Sequence, residues 1–172
     1  MGIFLILSYK TIKLSFNLGQ SMITLKTLNQ NEDLLPSYST HASAGADLKS
    51  AVDLVIPAGT HARVQTGTWI ESVEWDQVPK GIIPELQIRA RSGLAFKHGI
   101  TLSNAVGTVD ADYPDEICVL LWNTGSQDFS IKRGDRIAQI VLNLVQRIDN
   151  LTVGGKRIGG FGSTGISENT LS

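Results

Sequence analysis

The 172-residue chain has one cysteine, Cys118, so it can form no internal disulfide and no cysteine cage for a metal. It also lacks an excess of charge of either sign. Fifteen Lys and Arg stand against sixteen Asp and Glu, a net charge of -1. That balance supplies no basic field for nucleic acid. His41, His61 and His98 are scattered without zinc-ligand spacing. No long apolar run is present. The N-terminal GIFLIL falls far short of the ~20 residues of a membrane-crossing helix. It also has no basic flank and no small-residue cleavage site, so it does not read as a signal peptide. These absences predict a cytoplasmic domain with neither nucleic acid nor membrane among its partners.

What is present is a series of short β-runs between turn residues. MITLKTL, DLVIPAGT, HARVQTGTWI, IIPELQIRA, EICVLLWN, DFSI and RIAQIVLNLV follow one another, and helical periodicity is weak except for one or two turns in RSGLAFKHG. The pattern predicts an all-β fold, a jelly-roll-like barrel or sandwich. Residues 1–21 read as an N-terminal extension, 22–153 as the β domain and 71–81 as an inserted polar loop. Ile137, Ile140, Cys118 and Trp122 read as packing residues.

Glycine is concentrated at the end of the chain, with six in the twelve residues from Gly154 to Gly165. Glycine loses the most backbone freedom on ordering, so residues 154–172 are expected to form a mobile arm until something binds. Gly160, Gly162 and Gly165 match the spacing of a dinucleotide-binding loop. That loop needs a helix and a strand after it, and seven residues cannot supply them.

Four further stretches carry candidate chemistry. SAGADLKSA sets Asp47 among small residues. RARSGLAFKHGI offers the guanidinium of Arg91, the hydroxyl of Ser92 and backbone N–H groups at Gly93, a cradle for an anion, though the stretch taken alone reads more simply as a solvated turn. In NAVGTVDADYPDE, alternation would place Asp110 and Asp112 on one face, where one carboxylate could act on a water, or the stretch could be a hairpin with acidic ends. YPDE reads as a turn around Pro114 and Asp115. RGDRIAQ reads as a hairpin turn followed by Arg136 and Gln139.

In this order, with the final GGFGSTG, these motifs resemble the trimeric dUTPase family over roughly residues 22–165. The resemblance implies a homotrimer with active sites shared between subunits, a C-terminal arm closing over each, and hydrolysis of dUTP to dUMP and pyrophosphate with Mg²⁺ on the triphosphate. Such an activity keeps uracil out of DNA and supplies dUMP for dTMP synthesis. Residue by residue, it implies that Asp110 activates the attacking water, while Asn104 and the backbone near Gly107 read uracil. Tyr113 would pack under the deoxyribose. Arg91, Ser92, Gly93 and Gln139 would contact phosphate. Phe161 would stack on the base, and Arg157, Gly162, Ser163 and Thr164 would clasp the γ-phosphate. Asp47 would stand near the hydrated metal, with no direct protein ligand to it.

The chain departs from the family pattern in three places. Pro114–Asp115 replaces Arg-Gly after the tyrosine, Ala90 replaces the usual proline before Arg91, and KRIGGFG leaves either Lys156 or Arg157 in the arginine role. The segment joining RIAQIVL to the arm is short. Two other readings share the fold: a non-catalytic nucleotide-binding regulator and a dCTP deaminase-like enzyme, the latter without the GGFGSTG arm.

Overall fold

The structure is a computed structural model. It describes residues 9–15, 21–28 and 31–148, and of residues 9–15, Ser21 and Leu28 it describes the backbone alone. The expected arm at 154–172 lies outside the described residues.

Twelve strands and one short helix run along the described chain. The strands are β1 (Tyr9–Ser15), β2 (Ser21–Leu28), β3 (Ala46–Lys49), β4 (Leu54–Ile56), β5 (His61–Gln65) and β6 (Thr68–Val73). They continue with β7 (Ile82–Ala90), β8 (Ile100–Leu102), β9 (Gly107–Asp110), β10 (Cys118–Asn123), β11 (Phe129–Ile131) and β12 (Arg136–Gln146). Helix α1 (Ser92–His98) lies between β7 and β8. Four antiparallel sheets result, in the orders β1-β2-β6, β5-β10-β8, β11-β4 and β3-β12-β7-β9.

The sequence-predicted runs become strands, with informative differences. HARVQTGTWI breaks into β5 and β6 at Gly67, whose φ of 64° a side-chain-bearing residue adopts at a cost. Glu71, Ser72 and Val73, read as the start of a loop, belong to β6, and Trp75–Gln77 forms a 3₁₀ turn. Met22 was expected to begin the domain, yet β2 starts at Ser21 and pairs with β1 from Tyr9 to Ser15, so the sheet reaches into the presumed extension. Small-residue SAGADLKSA contributes a strand, β3, where turn chemistry was the simpler expectation.

The four-stranded sheet positions the candidate site. Direct cross-strand neighbours point to the same face. Leu48 with Ala138, Ala46 with Ile140, and Leu86 with Val109 form its buried face. Each fully buried Leu or Ile contributes about 1.5–3 kcal/mol. The opposite face carries polar residues: Asp47 beside Gln139 beside Arg89, and Asn143 beside Glu85 beside Asp110. Pro84 lies beyond the paired length of β9, where β7 has only β12 as a neighbour.

The sheet β5-β10-β8 closes the core from another side. Val64, Val119, Leu121, Ile100 and Leu102 turn inward. Asn123 is fully buried with its amide saturated: Nδ2 donates to the carbonyls of Ile56 and Gln127 at 2.9 and 2.8 Å, and Oδ1 accepts from Gly125 N–H at 3.0 Å. Ile137 and Ile140 are buried as expected. Trp122, read as a packing residue, is instead 44% exposed, because alternation along β10 points it outward beside His61 and Thr101. Cys118 is half-buried.

Candidate active site

Arg91 follows β7 in extended conformation and caps α1, whose first turn holds Ser92 and Gly93. Leu94 and Ala95 N–H both donate to the Arg91 carbonyl, starting the helix there. Gly99 stops it in the left-handed region at φ 67°, where a Cβ would lie 2.9 Å from the Gly125 nitrogen. Gly93 has nothing within 4 Å of where a side chain would begin, so this first turn faces open space.

Beside it lies Asp47, 3% exposed and engaged through both carboxylate oxygens. Oδ1 is 3.3 Å from Arg91 Nε, and Oδ2 accepts from Arg136 Nη1 at 3.1 Å and Ser39 Oγ at 2.8 Å. Arg91 Nη1 also donates to the Arg136 carbonyl at 2.7 Å. Arg136 reaches this cluster because β12 slips register against β3 between Arg136 and Ala138. The slip pairs Arg136 with Lys49 and Gln139 with Asp47, so both face the polar side. Without it, three residues of separation would set them on opposite faces. Gly45 leads into β3 so closely over β12 that an added Cβ would lie 3.2 Å from Gln139 Cβ. Arg91, Ser92, Gly93, Gln139 and Asp47 therefore lie in one region of the fold. Arg136 and Ser39 join them: the first was visible in RGDRIAQ but assigned no role, and nothing in the sequence marks the second.

The hairpin residues form a second group. Asn104 is exposed, and its Nδ2 is 3.2 Å from where a Cβ on Gly107 would sit, with Ile88 Cβ equally close. Glycine at 107 thus leaves room for the Asn104 amide. Ala105, between them, is held at φ 60°, a left-handed conformation costing about 1–2 kcal/mol for a residue with a Cβ. Asp110 ends β9 half-exposed, opposite Glu85. Glu85 Oε1 accepts from Gln87 and Asn143 side chains at 2.8 and 2.9 Å. The expected sharing of a strand face by Asp110 and Asp112 does not occur: β9 stops at Asp110, Tyr113 N–H closes a turn on the Asp110 carbonyl at 3.0 Å, and Asp112 is exposed in that turn. The turn expected over YPDE is thereby shifted upstream. Beyond it, Tyr113 is buried, 8% exposed, with Oη 3.4 Å from the Glu116 carbonyl.

Within one chain Asp110 and Arg91 stand apart, whereas Gly107, level with Ile88 of β7, lies nearer the cationic cluster. Asp110 is level with residue 85 of β7 and the cationic cluster begins at residue 91. At about 3.3 Å per residue, that separates them by about 20 Å along the strand.

A family model for dUTPase matches residues 31–165. The chain belongs to the dUTPase family. Deoxyuridine 5'-triphosphate nucleotidohydrolase of Treponema denticola is 46% identical over 141 residues, 78% of this chain and 92% of the relative. The enzyme of the same name from Anaplasma marginale is 48% identical over 138 residues, 76% of this chain and 88% of its own. Among solved structures, the dUTPase of Streptococcus mutans superposes with a TM-score of 0.64 at 29% identity, covering 73% of this chain and 98% of the other. A dUTPase from phage phi11 of S. aureus, 18% identical, shares the fold with a TM-score of 0.57 over 86% of this chain and 97% of its own.

The dUTPase motifs from Asp47 to Gln139 fall within the described residues, while Arg157, Phe161, Gly162, Ser163 and Thr164 lie outside them. Among the described residues no three His, Cys, Asp or Glu come together. Both oxygens of Asp47 already serve arginines. No helix among the described residues is long and apolar enough to cross a membrane.

Proposed function

We propose that this enzyme of the dUTPase family hydrolyses dUTP to dUMP and pyrophosphate, with Mg²⁺ on the triphosphate, as a cytoplasmic homotrimer whose sites are each built from more than one copy. The observation that carries the reaction is the identity of 46–48% to relatives named as deoxyuridine 5'-triphosphate nucleotidohydrolases, over most of both chains. The activity would keep uracil out of DNA and supply dUMP for dTMP synthesis.

The geometry supports a division of labour. Asp110 of one copy takes a proton from the water attacking the α-phosphorus in line. Arg91, Ser92, Gly93 and Gln139 of another hold the phosphates and stabilise charge on the departing pyrophosphate. Magnesium, when bound, neutralises phosphate charge. Asp47, whose carboxylate accepts from Arg91, Arg136 and Ser39, would contact it through water. Asn104 reads uracil through its amide, with Gly107 leaving the space. Tyr113 limits the sugar to one without a 2′-hydroxyl. Phe161 stacks on the base, and Arg157, Gly162, Ser163 and Thr164 close over the γ-phosphate, excluding bulk water. The separation of Asp110 from Arg91 by about 20 Å of strand favours assembly of each site from two copies.

Pyrophosphate release from dUTP with Mg²⁺ tests this reading. Asp110→Asn should bind a non-hydrolysable dUTP analogue and lose about 10²–10⁴-fold in kcat, the usual contribution of a general base. A wild-type protein that releases no pyrophosphate from dUTP refutes it.

A further inference from the structure

We infer that Asp47 and Arg136 form a clamp that aims Arg91, making both positioning residues for the phosphate cradle; this rests on the function proposed above. Three facts point there. Asp47 is buried to 3% exposure and spends both oxygens on guanidinium groups. Arg91 is held from two sides, at Nε by Asp47 and at Nη1 by the Arg136 carbonyl. And β12 breaks its register at the one place that brings Arg136 to this face, a local distortion of the kind that re-aims a side chain beside an active site.

The chemistry follows from the donor inventory. A guanidinium has five N–H groups; on Arg91 one at Nη1 donates to the Arg136 carbonyl, and Nε is ion-paired with Asp47. Nη2 takes part in neither of these contacts. One carboxylate and two guanidinium groups leave the cluster a net charge of +1, so the clamp restrains Arg91 without cancelling its attraction for an anion. Fixing a long side chain before substrate arrives removes an ordering cost from the reaction step, and a misplacement of about 1 Å at such a group lowers rate about 10²-fold. Ser39 Oγ, at 2.8 Å from Asp47 Oδ2, fixes the carboxylate in turn.

The test is a double-mutant cycle in kcat and KM for dUTP with Asp47→Asn and Arg136→Gln. Each should lower kcat about 10- to 100-fold; KM should stay within threefold of wild type for Asp47→Asn, which keeps both guanidinium charges, while Arg136→Gln, which takes the cluster from +1 to 0, should also raise KM. The pair combined should lose little more than Asp47→Asn alone, since Arg136→Gln keeps the carbonyl contact to Arg91 and acts only by loosening Asp47. Arg136→Lys, which keeps the charge, should recover part of the loss. The Arg136 side chain is 53% exposed, so its variants test the clamp even if Asp47→Asn fails to fold. Losses that multiply, kcat within twofold of wild type, or an Asp47→Asn defect cured by higher Mg²⁺ would overturn the clamp. A crystal structure of Arg136→Gln gives a readout independent of turnover: the Arg91 guanidinium should move by about 1 Å or more, and an unmoved guanidinium refutes the inference. Silence of the wild type on dUTP would instead count against the proposed reaction, leaving the crystallographic result to judge the clamp.

Discussion

Asp110 is the register partner of Glu85, six residues up β7 from Arg91 (85 to 91). If catalysis requires both, copies must share them. Arg91→Ala and Asp110→Asn proteins, each inactive alone, should regain activity when unfolded together and refolded at equal amounts. In a randomly mixed cyclic trimer with one donor of each residue per site, half times half, or about a quarter, of sites would be intact. Recovery of none would place both residues in the same chain's site. The mixture is read by pyrophosphate release against the separately refolded variants.

The arm gives a second prediction, drawn from its sequence. Phe161→Ala should weaken binding of a dUTP analogue by about 1–3 kcal/mol, the range for base–aromatic stacking. Truncation after Lys156 should leave the oligomer intact in sedimentation and nearly abolish turnover. Full turnover by the truncated protein would remove the arm from the mechanism.

Gly107→Ala should raise KM for dUTP more than it lowers the thermal midpoint. Its new Cβ would lie 3.2 Å from both Asn104 Nδ2 and Ile88 Cβ. The buried Ile88 has less freedom to yield than the exposed Asn104, so the amide is displaced. An unchanged KM would mean that Asn104 has no part in reading the base.

Burial first, and the Glu116 carboxylate second, push the Cys118 thiol up to about 11. Raising the pKa favours the protonated form, so thiolate becomes appreciable only as pH approaches that value. At pH 7.5 the thiolate fraction should be about 300-fold below that of an ordinary thiol with pKa about 8.5. Alkylation by iodoacetamide, followed by mass spectrometry beside glutathione, should be correspondingly slow. A rate equal to that of glutathione would contradict the assignment.

Much of the fold was legible because period-two alternation reports burial directly. Leu86 and Ile88 turn inward while Glu85, Gln87 and Arg89 turn outward, as IIPELQIRA suggests. SAGADLKSA was harder to read, since Ala46 and Leu48 become a strand through pairing with β12, a partner some ninety residues away that no local pattern reveals. Trp122 was misplaced because an aromatic in an apolar run suggests core, whereas strand parity decides its side. The candidate site residues stand out in the sequence by their motifs, but the Asp47–Arg136 contact depends on a register slip, and a slip leaves no mark in composition or spacing.

Strands β3 and β7 never touch along their length, because β12 lies between them. The order of synthesis gives this arrangement a temporal meaning. A ribosome completes Asp47 and Arg91 long before it reaches Arg136, and until β12 emerges the two have no common neighbour to align them. A nascent or prematurely terminated chain that stops short of β12 thus carries Asp47, Arg91 and Asp110 without the strand that gathers them.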